Sequence, residues 1–181
     1  MVVKILVALF LFGNCFAAPL SEQEKKYYKK KGRVVLVKYR DELGLALKQS
    51  VQNGFVKGVR SCRAKKTSVE QNWRKLGYKI GRTSHKLRNP KNVAPNWVAP
   101  FISKYQESSA KKKMPISVVS LDVDRAGVIA PIYTKKMCVH CHGVNISQGV
   151  KSEMRKYYPK DQATGFTVGD LRGLFWLELK R

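Results

Sequence analysis

Cys138-Val139-His140-Cys141-His142 sets two cysteines three residues apart and places a histidine directly after the second. This spacing is the attachment signature of a c-type haem. Each thiol can add to one vinyl group of a porphyrin, and His142 then lies under the ring, where an imidazole nitrogen reaches the iron. Two other chemistries use the same residues. A redox disulfide wants a thioredoxin-like strand–helix context, and none is visible here. A zinc site would recruit Cys62 and a histidine beside Cys138 and Cys141, but structural zinc more often takes two separated ligand pairs. Haem is the reading that uses the adjacent histidine. His140 is an insert residue, expected to face solvent.

The far N-terminus supports that reading. Lys4 supplies a positive start, Ile5 to Phe12 is an unbroken apolar run, and Cys15-Phe16-Ala17-Ala18 offers a small-residue cleavage site after Ala17. The run is too short to span a membrane. A lipid anchor at Cys15 is a weak alternative, because Asn14 sits where a small residue is wanted. Export to the periplasm agrees with the motif, since covalent haem attachment is completed outside the cytoplasm. The expected organisation is a signal peptide over 1–17, a basic segment over 18–32 and a single domain over 33–181. No other apolar run is long enough for a membrane span.

The charge is extreme: 36 basic against 12 acidic residues, a net +24 over 181 residues. Such a surface favours acidic partners or anionic membrane. An exported chain seldom meets nucleic acid, and no nucleic-acid motif is present. The preferred reading is that these lysines solvate the surface; an acidic redox or signalling partner is the sharper alternative.

Of four cysteines, Cys15 leaves with the signal, and Cys138 and Cys141 are claimed by the motif. Cys62 is left over in an oxidising compartment, either buried and inert or a metal ligand. Residues 33 to about 65 read as one long helix. On it Leu43, Leu47, Val51, Phe55 and Val59 recur every four residues, with Cys62 three later on the same face. Gly54 and Gly58 beside that stripe admit a flat group or another helix. Residues 22–31 read as the frayed start of this helix. Strands are expected at 77–84, 115–124, 128–133 and 171–180, with a hairpin turn at 124–127. A short helix is expected at 96–108, with a helical piece within 143–160. By itself this pattern gives α+β with an antiparallel sheet.

The blocks Gly81-Arg82-Thr83-Ser84-His85-Lys86-Leu87-Arg88-Asn89-Pro90-Lys91-Asn92, Cys138 to Gly143, Tyr158-Pro159-Lys160-Asp161, Gly165-Phe166 and Gly169-Asp170-Leu171-Arg172-Gly173 resemble a family of exported single-haem proteins. That family was long filed as a domain of unknown function. The likeness covers roughly residues 35 to 181. It implies a PAS-like fold, with a five-stranded antiparallel sheet, a long N-terminal helix, flanking helices and one covalent haem c. It also implies iron held by His142 and, on the other side, by the thiolate of Cys62. The family cysteine usually runs on into small apolar residues and proline, whereas Arg63-Ala64-Lys65-Lys66 follows here.

A haem held by histidine and thiolate has no open position for substrate, so the chain reads as a non-enzyme. The leading expectation is a redox or gas sensor in which Cys62 is displaced. The alternative is a single-haem electron carrier, and a zinc-stabilised binding module is least favoured. Arg82 and Arg88 are candidates for the haem propionates, or else pair with Asp122, Asp161 or Asp170 inside the fold. His85 is the rival to Cys62 for the second axial position, with Met114, Met137 and Met154 behind it.

Overall fold

The computed structural model describes residues 18–109 and 115–181. The proposed signal peptide with Cys15, the run Lys111 to Lys113, and Met114 lie outside them. Helix α1 (Glu22–Val51) leads to α2 (Phe55–Lys75), β1 (Lys79–Thr83), α3 (Ala99–Ser109), β2 (Ser117–Ser120), β3 (Arg125–Tyr133), α4 (Val139–His142), α5 (Gln148–Tyr157) and β4 (Leu171–Lys180). The sheet runs β1-β4-β3-β2, every pair antiparallel.

The single helix expected from residue 33 onward is two helices. Gln52-Asn53-Gly54 interrupts it, and Gly54 adopts φ +93°, a conformation that other residues rarely reach. α1 also begins earlier than expected. Ser21 and Glu24 form a reciprocal capping box, so residues 22–31 are ordered helix rather than a frayed lead-in. Leu20, Tyr28 and Gly32 are buried, which places the segment assigned to 18–32 inside the domain.

Four strands are present among the described residues, not five. Between β1 and β2 the chain spends its length on a 3-10 turn at Pro90–Asn92 and on α3, with no further alternating apolar run. The β2–β3 turn falls at 121–124, so Arg125, Ala126 and Gly127 belong to β3.

The sheet is covered on both faces. Val128, Phe175, Leu177 and Leu179 pack with Leu36, Tyr39 and Leu43 of α1 and Trp73 of α2. Ile129 and Leu174 pack on the other face with Val98 and Tyr105. This explains the near-continuous apolar run Leu174-Phe175-Trp176-Leu177 in β4, a central strand buried on both sides. A third cluster joins Val59 of α2 to Ile146, Val150 and Met154, with Cys141 at its edge.

α1 reaches the sheet closely because Gly32 lies over Val128. A Cβ at Gly32 would meet both Val128 methyls at 2.7 Å. Gly58 serves the α1–α2 contact in the same way: a Cβ there would lie 2.9 Å from the Ser50 carbonyl oxygen. Of the two purposes the sequence allows for these glycines, Gly58 serves helix packing. Replacing Gly32 with valine should lower stability by about 1–3 kcal/mol through overpacking. Urea unfolding followed by far-ultraviolet circular dichroism measures the shift.

Candidate functional site

The stripe Leu43, Leu47, Val51, Phe55, Val59 and Cys62 does share one surface, but from two helices. Together these residues line a cavity of about 1350 Å³, larger than the roughly 300–1,000 Å³ of ordinary ligand pockets. Cys138, Cys141 and His142 line the same cavity, and among the described residues Cys62, Cys138 and Cys141 form no disulfide. The structure therefore brings Cys62 and the motif around one space. β3 ends at Tyr133, and a 3-10 turn at Lys136–Cys138 carries the chain directly into α4.

His142 is held by its surroundings. Its Nδ1–H donates to the Ala163 carbonyl at 2.8 Å. The neutral ring then keeps its lone pair on Nε2, which lies 3.5 Å from Arg88 Nη1. Burial first, then the cations of Arg88 and Arg172, drives the imidazole pKa well below its usual value. A neutral, oriented imidazole is the form that binds a metal. Burial also pushes the Cys141 thiol upward.

Arg88 fixes this arrangement. Its Nε donates to Asp161 at 3.0 Å, and both side chains are about nine-tenths buried. Its Nη2 donates to the Cys141 and Ala163 carbonyls, the latter at 3.3 Å. The Asp161 carboxylate also accepts from the Ala163 amide at 2.8 Å. Arg88 thus makes one of the internal ion pairs that the sequence offers as the alternative to a propionate contact, and its donors are largely committed. Arg82 pairs with Glu70 at 3.3 Å, a partner the sequence did not suggest. Asp122 pairs with Arg125, and Asp170 accepts from the Thr167 amide.

The rival axial candidates separate. His85 lies outside this cavity, in a crevice of about 310 Å³ with Lys86 and Phe166. Phe166 touches both imidazoles edge to face, at 5.6 Å from His85 and 6.4 Å from His142. Met137 and Met154 line the main cavity. His140 is exposed, as expected, and stacks on Phe55 at 4.1 Å.

The wall is rich in cations and hydrogen-bond donors. Among the described residues, Arg82 Nε, Thr83 Oγ1, Thr134 Oγ1 and Arg172 Nε are buried without hydrogen-bond partners, and all four residues line the cavity. Each such atom costs about 1–3 kcal/mol when left unpaired. Lys66 and Arg172 join Arg82 there and were not foreseen. The spacing of Lys66, four residues after Cys62 and so on the same helix face, was the available signal.

A family profile, Tll0287-like, matches residues 20–179. The chain belongs to the Tll0287-like family. The crystal structure of the cyanobacterial heme-protein Tll0287 superposes with a TM-score of 0.60. The match covers 83% of this chain and 96% of that one at 17% identity, a likeness of fold. No curated protein matches the sequence. The family match begins at residue 20, so the first half of α1 is part of the family's domain.

Burial, reinforced by the Arg82 cation, pushes the Lys66 ammonium down to about 7, whereas an unfolded lysine titrates near 10.4. Between those values the unfolded chain binds the extra proton, so the Lys66 penalty is full below pH 7 and is relieved as pH rises. Lys66 should therefore add stability to the haem-free chain from pH 7 to 9, against the opposite contribution of the raised Cys141 thiol, and Lys66→Met should make the slope over this range less positive. Urea midpoints across this range report it.

Proposed function

We propose that the chain is an exported c-type haem protein, with one haem bound through Cys138 and Cys141 and the iron held by His142 and Cys62. The observation that carries this reading is the convergence of those four side chains on one cavity, with the His142 Nδ1 already tied back. The family relationship supports it, because the superposed relative is a heme-protein. The fit is chemical as well as steric. An apolar wall from Leu43, Leu47, Val51 and Phe55 suits a porphyrin, and the unpartnered donors of Arg82 and Arg172 suit its propionates. Arg88, with its donors committed to Asp161 and two carbonyls, is better cast as the residue that positions His142.

The zinc reading is weaker. Among the described residues, no group of three or more His, Cys, Asp and Glu side chains is arranged to hold a metal ion by itself.

The bound haem supplies one-electron exchange. The protein's part is to fix His142 rigidly and to bring Cys62 to the cavity from a separate helix. His142 is locked by Ala163 and by the Arg88–Asp161 pair. Cys62 rides on α2, whose only covalent link to α1 is the three-residue break at Gly54. The preferred reading is a redox or gas sensor of PAS-like type in which Cys62 leaves the iron; the alternative is a plain electron carrier. In neither role is the protein an enzyme. The output would pass to a separate partner protein, acidic in character. Export places it in the periplasm, with the mature chain starting at Ala18.

Protein matured with c-haem assembly machinery should keep its colour through acidified-acetone extraction and give one haem-stained band. Changing Cys138 and Cys141 to serine should abolish the band; complete extraction from the native chain would overturn the reading. Cys62→Ser should retain covalent haem but alter the ferric low-spin electron paramagnetic resonance signal and raise the midpoint potential. A ferric spectrum unmoved by Cys62→Ser would pass the second axial position to Met137 or Met154, the other candidates in the cavity. Carbon monoxide binding to the ferrous wild type separates sensor from carrier, since only a displaceable ligand admits it.

A further inference from the structure

Among the described residues, the cavity wall carries twelve lysines and arginines and a single carboxylate, Glu70. Arg40, Arg82 and Arg88 are answered by Asp41, Glu70 and Asp161, and two propionates would balance only part of the remaining cations. The cations also differ in burial. Lys66, Arg82, Arg88 and Arg172 are partly buried in the wall. Eight others are exposed to solvent: Arg40, Lys48, Arg63 and Arg74 on α1 and α2, and Lys91, Lys135, Lys136 and Lys160 on the loops after β1, β3 and α5, the rim taken as the mouth. None of these four lysines takes part in an ion pair among the described residues. Exposed apolar residues accompany them at the same mouth: Pro90 beside Lys91, Pro159 beside Lys160, and Val168, which is 56% exposed.

We infer that this mouth is the docking surface for an acidic protein, with Lys91, Lys135, Lys136 and Lys160 meeting carboxylates and Pro90, Pro159 and Val168 forming the dry centre. The inference deepens the haem reading, since it rests on that reading for the purpose of docking, electron exchange at the cavity. Three things favour a protein over a lipid surface. The lysines come from three separate loops grouped around one concavity. The apolar component is small. Among the described residues, no exposed Trp, Phe or Leu lines the mouth to enter a bilayer. Unpaired surface charge of one sign acts mainly through encounter rate and orientation, and this is where such lysines have their effect.

The test compares two fourfold charge reversals with identical net charge in the full haem-loaded chain. One changes Lys91, Lys135, Lys136 and Lys160 to glutamate. The other changes Lys26, Lys30, Lys38 and Lys180, which are exposed and lie off the cavity. Binding to a small acidic plant-type ferredoxin is read by titration calorimetry at low salt. The mouth reversal should weaken binding by about tenfold or more, and the distant reversal by no more than about threefold. Glutamine at the four mouth positions should give a smaller loss in the same direction, without the folding risk of reversal. Equal losses from both sets, or no loss from either, overturn the inference. So does unchanged ferredoxin binding with loss of co-sedimentation on phosphatidylcholine–phosphatidylglycerol vesicles, which would assign the mouth to a membrane. Haem content is read separately from the absorption spectrum. A chain without haem still reports docking in the calorimeter, so the two readings fail independently.

Discussion

The Arg88 guanidinium joins three stretches of chain that are otherwise far apart in sequence: its own turn after β1, the Cys141 carbonyl in the motif, and the Asp161–Ala163 loop. The geometry of the motif depends on that junction. A planar fork can serve a carboxylate and two carbonyls at once, which an ammonium cannot do. The loop so anchored presents the Ala163 carbonyl to His142, and the same loop continues to Phe166, whose amide donates to the His142 carbonyl at 3.0 Å. Ring and backbone of His142 are therefore both held. The buried ion pair is costly to break because either partner alone would leave a charge without a counterion in the wall.

Around this fixed point the fold sets a contrast of rigidity. The sheet is buried on both faces, and Arg181, directly after β4, reaches Glu24 near the start of α1 at 2.8 Å. The α2–α5 contact, which carries Cys62 past the motif, rests on the smaller cluster of Val59, Ile146, Val150 and Met154. Fewer buried apolar contacts mean a lower local free energy of opening. The contact between α2 and the motif side thus rests on fewer buried residues than the sheet, while α2 itself is anchored in the main core by Trp73.

Much of this was legible in the residues. The apolar stripe from Leu43 to Cys62, the feed of β3 into the motif, the four strands and the inward place of Cys62 all follow from periodicity and spacing. The misreadings have local causes. The steps of four that join α1 to α2 persist across Gln52-Asn53-Gly54, so periodicity hid a break that the Asn-Gly pair announced. The lysines of residues 25–31 suggested a solvated lead, although Ser21 and Glu24 form a helix-start signature and Tyr28, Gly32 and Leu36 recur at helical steps. Arg82 with Glu70, and Arg88 with two carbonyls, join residues whose proximity is set by tertiary packing, so no spacing rule could have named the partners.

The charge of the wall has a consequence for how fold and guest depend on each other. Cations gathered around one cavity oppose each other and their own desolvation. Lys66 pushed down to about 7 and Arg172 to about 10, each chiefly by burial and then by neighbouring arginines, are the local signs of that strain. Four wall atoms also stand without hydrogen-bond partners. A bound group carrying carboxylates answers both deficits at once, and any guest that binds only the folded chain stabilises it by mass action. The site is thus the place where the fold is least satisfied alone, so filling it should do more for stability than its contact area by itself would suggest.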